Sequence, residues 1–232
     1  MELPKTKVAA SRKSPKNMVI YGPPKIGKTT MLSMLDDCLI IDLEDGSDMI
    51  EALKVKAHNL NELAEIGKQI MKQKKPYKYV AIDTVTKLEE WCEIDGKKIY
   101  QNTPMGKNFD KEQKGVSILS LPNGAGYLYL RIAFKRWMDR LNLLADHVIL
   151  VGHLKDKMLD KKGKEVSYKD LDLTGKIKQI TCANADAIGY IYRENDNTMI
   201  SFDSKEDLIA GSRCEHLKGQ TIPLDWSKIF ID

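Results

Sequence analysis

The chain has 232 residues, 30% of them Asp, Glu, Lys or Arg, and a formal net charge of +4. That length suits one α/β domain with at most a small extension, and it buries a core without disulfides or metal staples. Cys38, Cys92, Cys182 and Cys214 are scattered without metal spacing, the start carries no apolar signal segment, and no apolar run reaches the length of a membrane span, so disulfide-built, zinc-bound, secreted and membrane-spanning classes are set aside and a cytoplasmic protein is expected.

Residues 1–16 read as a basic arm, since the first seventeen residues hold five Lys or Arg against one acid. Residues 18–21 follow as a short buried strand. Then comes Gly22-Pro23-Pro24-Lys25-Ile26-Gly27-Lys28-Thr29, a full G-x-x-x-x-G-K-[ST]. Thr30 opens a run of helix formers, with Met31, Leu32 and Leu35 on its apolar positions. Strand, glycine loop and helix are the context in which this spacing cradles phosphate. The glycines turn backbone N–H groups inward, and the helix start adds partial positive charge. Lys28 is placed to reach the β- and γ-phosphates of ATP, and the Thr29 hydroxyl to ligate Mg²⁺. The cradle residues are therefore Gly22, Pro23, Pro24, Lys25, Ile26, Gly27, Lys28, Thr29 and Thr30.

The next strand, residues 38–43, ends in acids. Alternation points Asp42 and Glu44 to the same face. Glu44 is the candidate base for a hydrolytic water, with Asp42 and Asp45 as rivals, and a plain polar strand end is the alternative. Residues 52–57 suggest a short strand, and Asn61 an N-cap before a helix to Met71. Tyr79-Val80-Ala81-Ile82-Asp83 is an apolar run ending in a carboxylate, which makes Asp83 the candidate second Mg²⁺ partner. Thr84 follows it, where many ring ATPases carry glutamate.

Residues 96–126 hold five glycines and little apolar periodicity, and read as a long flexible insert. Leu130, Phe134, Trp137, Leu141 and Leu144 then mark one buried helix face, leaving Arg131, Lys135 and Arg140 on others. Residues 148–151 form another apolar run, which ends at His153 and gives way to a lysine-rich loop. Residues 187–193 and 199–202 read as a hairpin. Charge is concentrated. Residues 97–140 hold nine Lys or Arg against three acids, and residues 155–178 eight against five. A solvated face and a polyanion-binding surface both produce such excess.

Taken together, these motifs resemble the RecA-type ATPase core over residues 17–201. Ile41-Asp42-Leu43-Glu44 matches the I-D-x-E of its second strand, and Asp83-Thr84-Val85 its Mg²⁺ strand. His153 takes the place of the polar residue, usually glutamine, that senses the γ-phosphate. Within that branch the chain resembles the compact phage-encoded ATPases grouped with Sak-type single-strand annealing proteins: G-x-P-K-x-G-K-T near the start, V-x-I-D-T in the middle, a strand ending in histidine, and a lone Gly-Lys turn at Thr174-Gly175-Lys176.

The resemblance implies a doubly flanked, mostly parallel α/β sheet with a C-terminal antiparallel hairpin, a core over residues 17–203, and a C-terminal extension over residues 204–232. It implies ATP and Mg²⁺ as cofactors and single-stranded DNA as partner, beside a single-strand-binding protein and without a membrane. DNA would be bound by two loops, residues 97–126 and 154–174, with Lys107, Lys111, Lys157, Lys161, Lys162 and Lys164 on phosphates. Tyr100, Phe109, Tyr127 and Tyr168 would stack on bases. A cation from the next subunit of a ring or filament would complete the site, with Lys176, Lys178 and Arg213 as candidates, or all three are solvated surface cations. Four functions compete: a DNA-stimulated recombination ATPase, a hexameric helicase or motor, a slow nucleotide-dependent regulator, and, more weakly, a small-molecule kinase, for which the arginine-rich lid is missing.

Overall fold

The computed structural model describes residues 3–109, 115–161 and 164–231, with side chains between 157 and 167 outside the description. Five parallel strands form its centre: β1 (Asn17–Gly22), β2 (Cys38–Asp42), β4 (Tyr79–Asp83), the first half of β5 (His147–Lys161), and β7 (Ala187–Glu194). The sheet order is β10-β8-β7-β1-β5-β4-β2-β3, where β3 is Lys54–Lys56, β8 Asn197–Ser201 and β10 Thr221–Pro223. Strands β7 and β8 form the expected antiparallel hairpin. This is the mostly parallel α/β sheet, flanked by helices, that the sequence predicts.

The central strands read as continuous apolar runs because both faces are covered. On one face Val19, Tyr21, Leu39, Ile41, Val80, Ile82, Val148 and Leu150 meet three helices, α2 (Leu60–Lys72), α3 (Val85–Gln101) and α4 (Ala125–Leu141), and α5 (Gly175–Asn184) closes that layer through Ile177. On the other, Met18, Ile20, Cys38, Ile40, Ala81, Ile149 and Val151 meet α1 (Lys28–Leu32) and the C-terminal turn α6 (Trp226–Ile229). Trp226 also donates its indole N–H to the Met31 carbonyl at 2.7 Å, joining α6 to α1. Leu130, Phe134, Trp137, Leu141 and Leu144 are all buried, as their spacing predicts.

Four local expectations are corrected. Asn59, not Asn61, caps α2: its side chain accepts from the N–H groups of Asn61 and Glu62, both at 3.0 Å. Residues 96–101 belong to α3 and not to a loop. Gly96 sits inside that helix because α4 crosses there; a Cβ would lie 3.0 Å from the Leu130 nitrogen. The lysine-rich stretch after His153 is no loop either. β5 runs on to Lys161 and returns as β6 (Lys164–Leu171), an antiparallel arm that leaves the sheet and meets residues 207–209 through Lys169 near its root. Likewise Thr174-Gly175-Lys176 is the start of α5 and not an isolated turn. Among the described residues, no helix is long and apolar enough to cross a membrane.

Candidate functional site

Parallel register brings the motifs to one end of the sheet. Asp42 lies opposite Asp83, Asp83 opposite Val151, and Gly22 opposite His153. Thus β5 stands between the cradle strand and the strand of Asp83, and its last sheet residue is the histidine.

The cradle runs from the end of β1 into α1. Pro24 and Lys25 are exposed at its rim, as is Thr30 within α1; Pro23, Ile26 and Thr29 are half-buried. Gly27 precedes the helix at φ 94°, a left-handed conformation that costs glycine nothing. Lys28 is 8% exposed, and its ammonium donates to the Gly22 carbonyl at 3.0 Å and the Pro23 carbonyl at 2.8 Å. Burial holds its pKa below the usual lysine value, opposed by the Asp83 and Glu44 carboxylates. The loop's own carbonyls therefore hold a partly desolvated cation where the spacing places anionic phosphate.

Thr29 Oγ1 donates to Asp83 Oδ2 at 2.6 Å. Burial raises the Asp83 pKa, and the neighbouring Asp42 and Glu44 carboxylates raise it further, against the Thr29 hydrogen bond and Lys28. Two hard oxygen donors side by side, one of them an acid whose charge is poorly compensated, suit Mg²⁺. Among the described residues no cluster of three His, Cys, Asp or Glu could hold a metal. A cation at Thr29 and Asp83 thus depends on phosphate and water for its remaining ligands, as Mg²⁺ in nucleotide sites does.

The three acids at the end of β2 separate cleanly. Asp42 is buried and accepts from the N–H groups of Glu44 (2.9 Å), Gly46 (3.3 Å) and Ser47 (2.9 Å), and from the Ser47 hydroxyl (2.6 Å). Although burial opposes it, these bonds hold its pKa below the usual carboxylate value. Asp42 clasps the loop, with its acceptor sites occupied. Asp45 turns to Lys56, 3.1 Å away, and His58. Glu44 alone faces the cradle end. Its Oε1 accepts from Thr84 Oγ1 at 2.8 Å, and His153 Nε2 lies 2.9 and 3.0 Å from its two oxygens. The His153 hydrogen bond is the main cause that keeps Glu44 below its usual pKa, and the same bond raises His153 above the usual imidazole value.

Sequence reasoning noted Thr84 within the Asp83-Thr84-Val85 match and as a position without glutamate, but gave its side chain no role. It is the N-cap of α3, accepting from the Lys87 N–H at 3.2 Å, while it donates to Glu44. A hydroxyl directly after the Mg²⁺-candidate aspartate was the available signal.

The remaining candidates scatter. Lys178 pairs with Asp170, which is 1% exposed, so its charge is engaged within its own chain. Arg213 lies at the opposite end of the sheet, 3.7 Å from Asp186 and donating to the Ala183 carbonyl. Lys176 is exposed on the first turn of α5. Lys107 is exposed beyond α3. Lys111 and Lys162 lie outside the described residues, and of Lys157, Lys161 and Lys164 only the strand backbone is described. The expected stacking residues also divide. Phe109 is buried edge-on to Tyr100, whose ring also packs on Tyr129 at 5.0 Å, which corrects their reading as free platforms. Tyr168 is half-buried. Tyr127 is 46% exposed.

The chain matches no curated protein. Among solved structures it is similar to the RadB recombinase, at 11% identity and a TM-score of 0.42, over 93% of this chain and 90% of that one. The family described as the AAA domain matches residues 14–214. With that match running from β1 to β9 (Gly211–Ser212) and covering most of the chain, the chain belongs to the AAA domain family.

Proposed function

We propose that this protein binds and hydrolyses ATP at the carboxyl end of its sheet, and that single-stranded DNA on the adjoining surface regulates the reaction. The observation that carries the reading is the convergence of Lys28, the Thr29–Asp83 pair and Glu44 from three separate strand ends, with no two of them closer than fifteen residues in sequence except the adjacent cradle pair.

In this reading the Gly22–Thr30 cradle and Lys28 hold the phosphates and neutralise charge on the transferred group. Thr29 and Asp83 would hold Mg²⁺, which would supply positive charge to offset that of the phosphates. Glu44 orients and deprotonates the attacking water once its carboxylate is turned toward it. As the structure stands, that carboxylate is engaged by Thr84 and His153. His153 is then the group that exchanges Glu44 for a γ-phosphate oxygen, since an imidazole with a raised pKa is a good donor to an anion.

The DNA half of the reading rests on a different feature. The two sequence regions assigned to DNA end at the starts of α4 and α5, and those two helix starts line one cleft of about 490 Å³. Gly124, Gly175, Tyr127, Arg131 and Lys176 meet there. Two helix N-termini, two cations and one exposed aromatic ring suit a phosphate backbone with a stacked base. The finer reading, in line with Sak-type proteins, is annealing or strand exchange beside a single-strand-binding protein. The core at residues 17–203 would carry these activities, and the extension at 204–232 would brace it.

ATP hydrolysis measured without DNA, with single-stranded DNA and with duplex DNA, at two salt concentrations, tests this. Stimulation by single strands that weakens with salt supports it. Hydrolysis indifferent to every nucleic acid would sink the DNA half, and strand displacement would move the assignment to a motor.

A further inference from the structure

We infer that Thr86 and Glu89, on the first two turns of α3, form a clamp that couples the nucleotide site to the β5–β6 arm. The inference rests on the reading of the cradle as an ATP site and adds the route by which occupancy there reaches a second surface.

Helix α3 begins at the chemistry: Asp83 closes β4, and Thr84 caps the helix while bonding Glu44. Thr86 and Glu89 follow at a three-residue step, so both lie on one face. That face grips the arm where it leaves the sheet. The Thr86 hydroxyl accepts from the His153 N–H at 3.2 Å and donates to the Asp172 carbonyl at 3.2 Å. The Asp172 N–H in turn donates to the His153 carbonyl at 2.9 Å, closing the two arms of the hairpin at that level. One turn on, both oxygens of Glu89 accept from the Thr174 N–H, at 3.1 and 3.0 Å.

His153 therefore belongs to a closed ring of contacts. Its side chain holds Glu44, Glu44 holds Thr84, Thr84 starts α3, and Thr86 on α3 holds the His153 backbone. A ring of this kind transmits displacement. If the His153 side chain leaves Glu44 for a phosphate, its backbone shifts against a fixed helix, and the arm root must follow. Glu89 extends the grip to the start of α5, which borders the Arg131–Lys176 cleft. Glu89 is 9% exposed, a buried acid whose bonds to Thr174, the residue that opens α5, tie α3 to that helix. Thr86 acts through the backbone of His153 and Glu89 through Thr174, so both are positioning residues.

The test is hydrogen exchange on the full chain with and without ATPγS and Mg²⁺, following peptides at residues 22–30, 152–158 and 168–174. Wild-type protein should slow exchange in the cradle and change it in both arm-root peptides. Thr86→Val with Glu89→Leu should keep the cradle response and lose most of the arm response. Glu89→Gln, whose carbonyl still accepts the Thr174 N–H, should keep both, a rescue that mere loss of stability does not give. If the double variant does not fold, Thr86→Val alone is read in its place, with the same expectation for residues 152–158. An arm response in the variant equal to wild type, or a protected cradle with a silent arm in wild type, overturns the clamp. A cradle that ATPγS leaves unprotected overturns the ATP reading itself, and the clamp with it.

Discussion

At the carboxyl end of the parallel sheet, three pairs of side chains bond across elements, Thr29 to Asp83, Thr84 to Glu44 and Glu44 to His153, while Lys28 and Asp42 bond to the main chain of their own loops. At the amino end, the polar groups bond to backbone. Asp186 accepts from the N–H groups of Lys16 at 2.9 Å and Asn17 at 3.1 Å, and His147 Nδ1 lies 2.7 Å from the Pro15 carbonyl while its ring stacks on Tyr79. A carboxylate that satisfies part-buried backbone N–H groups cannot let go without orphaning them, so Asp186, which also pairs with Arg213, fastens that end. Side chains that satisfy one another can trade partners when an anion or cation arrives. The same sheet thus has a fastened end and an exchangeable one, and chemistry is expected only at the second.

Substitutions that break this contrast rank by size. Lys28→Ala removes the one buried cation of the cradle and should weaken ATP binding by about 100-fold or more, measured by calorimetry, with little loss of thermal stability. Glu44→Gln keeps the shape and the Thr84 bond; ATP affinity should hold while turnover falls by about 100-fold or more in a steady-state assay. Asp186→Ala attacks the fastened end and should show the reverse pattern: stability lower by about 1–3 kcal/mol in urea unfolding, with ATP turnover per folded molecule unchanged.

The smallest effect concerns pH. The Glu44–His153 pair is about a third exposed on each side, 33% and 35%, so it contributes under about 1 kcal/mol. Its contribution is full between pH 4.5 and 6.5, the ordinary values of the two groups. It fades as pH rises through the raised His153 value, and as pH falls through the lowered Glu44 value. The stability lost in His153→Ala should therefore be larger near about pH 6 than near about pH 9, by thermal unfolding.

The exchangeable end was largely readable in the sequence because its motifs are local. The cradle is one continuous spacing, and Asp83 and Glu44 each close an apolar run, so parallel pairing alone brings them together. Choosing Glu44 over Asp42 was less secure. Both point to one face, and only the turn through Gly46 and Ser47 shows that Asp42 is consumed by backbone N–H groups. The arm was misread because residues 154–161 and 164–171 are rich in Lys, Asp and Glu, and their few apolar residues show no sustained alternation to mark strands. The end of α3 was misread because Gly96 looks like a breaker until the crossing of α4 is known. Thr86 and Glu89 were invisible for a related reason: they bond to main-chain groups of residues 153, 172 and 174, and sequence spacing says nothing of contacts that far apart.

The most direct test of the account is steady-state ATP hydrolysis by wild type and His153→Ala, each with and without single-stranded DNA, alongside ATP affinity. The account expects a several-fold rise with DNA in wild type, and in His153→Ala an unchanged ATP affinity with no response to DNA. Equal stimulation of both proteins, or no hydrolysis by wild type under any condition, would contradict it.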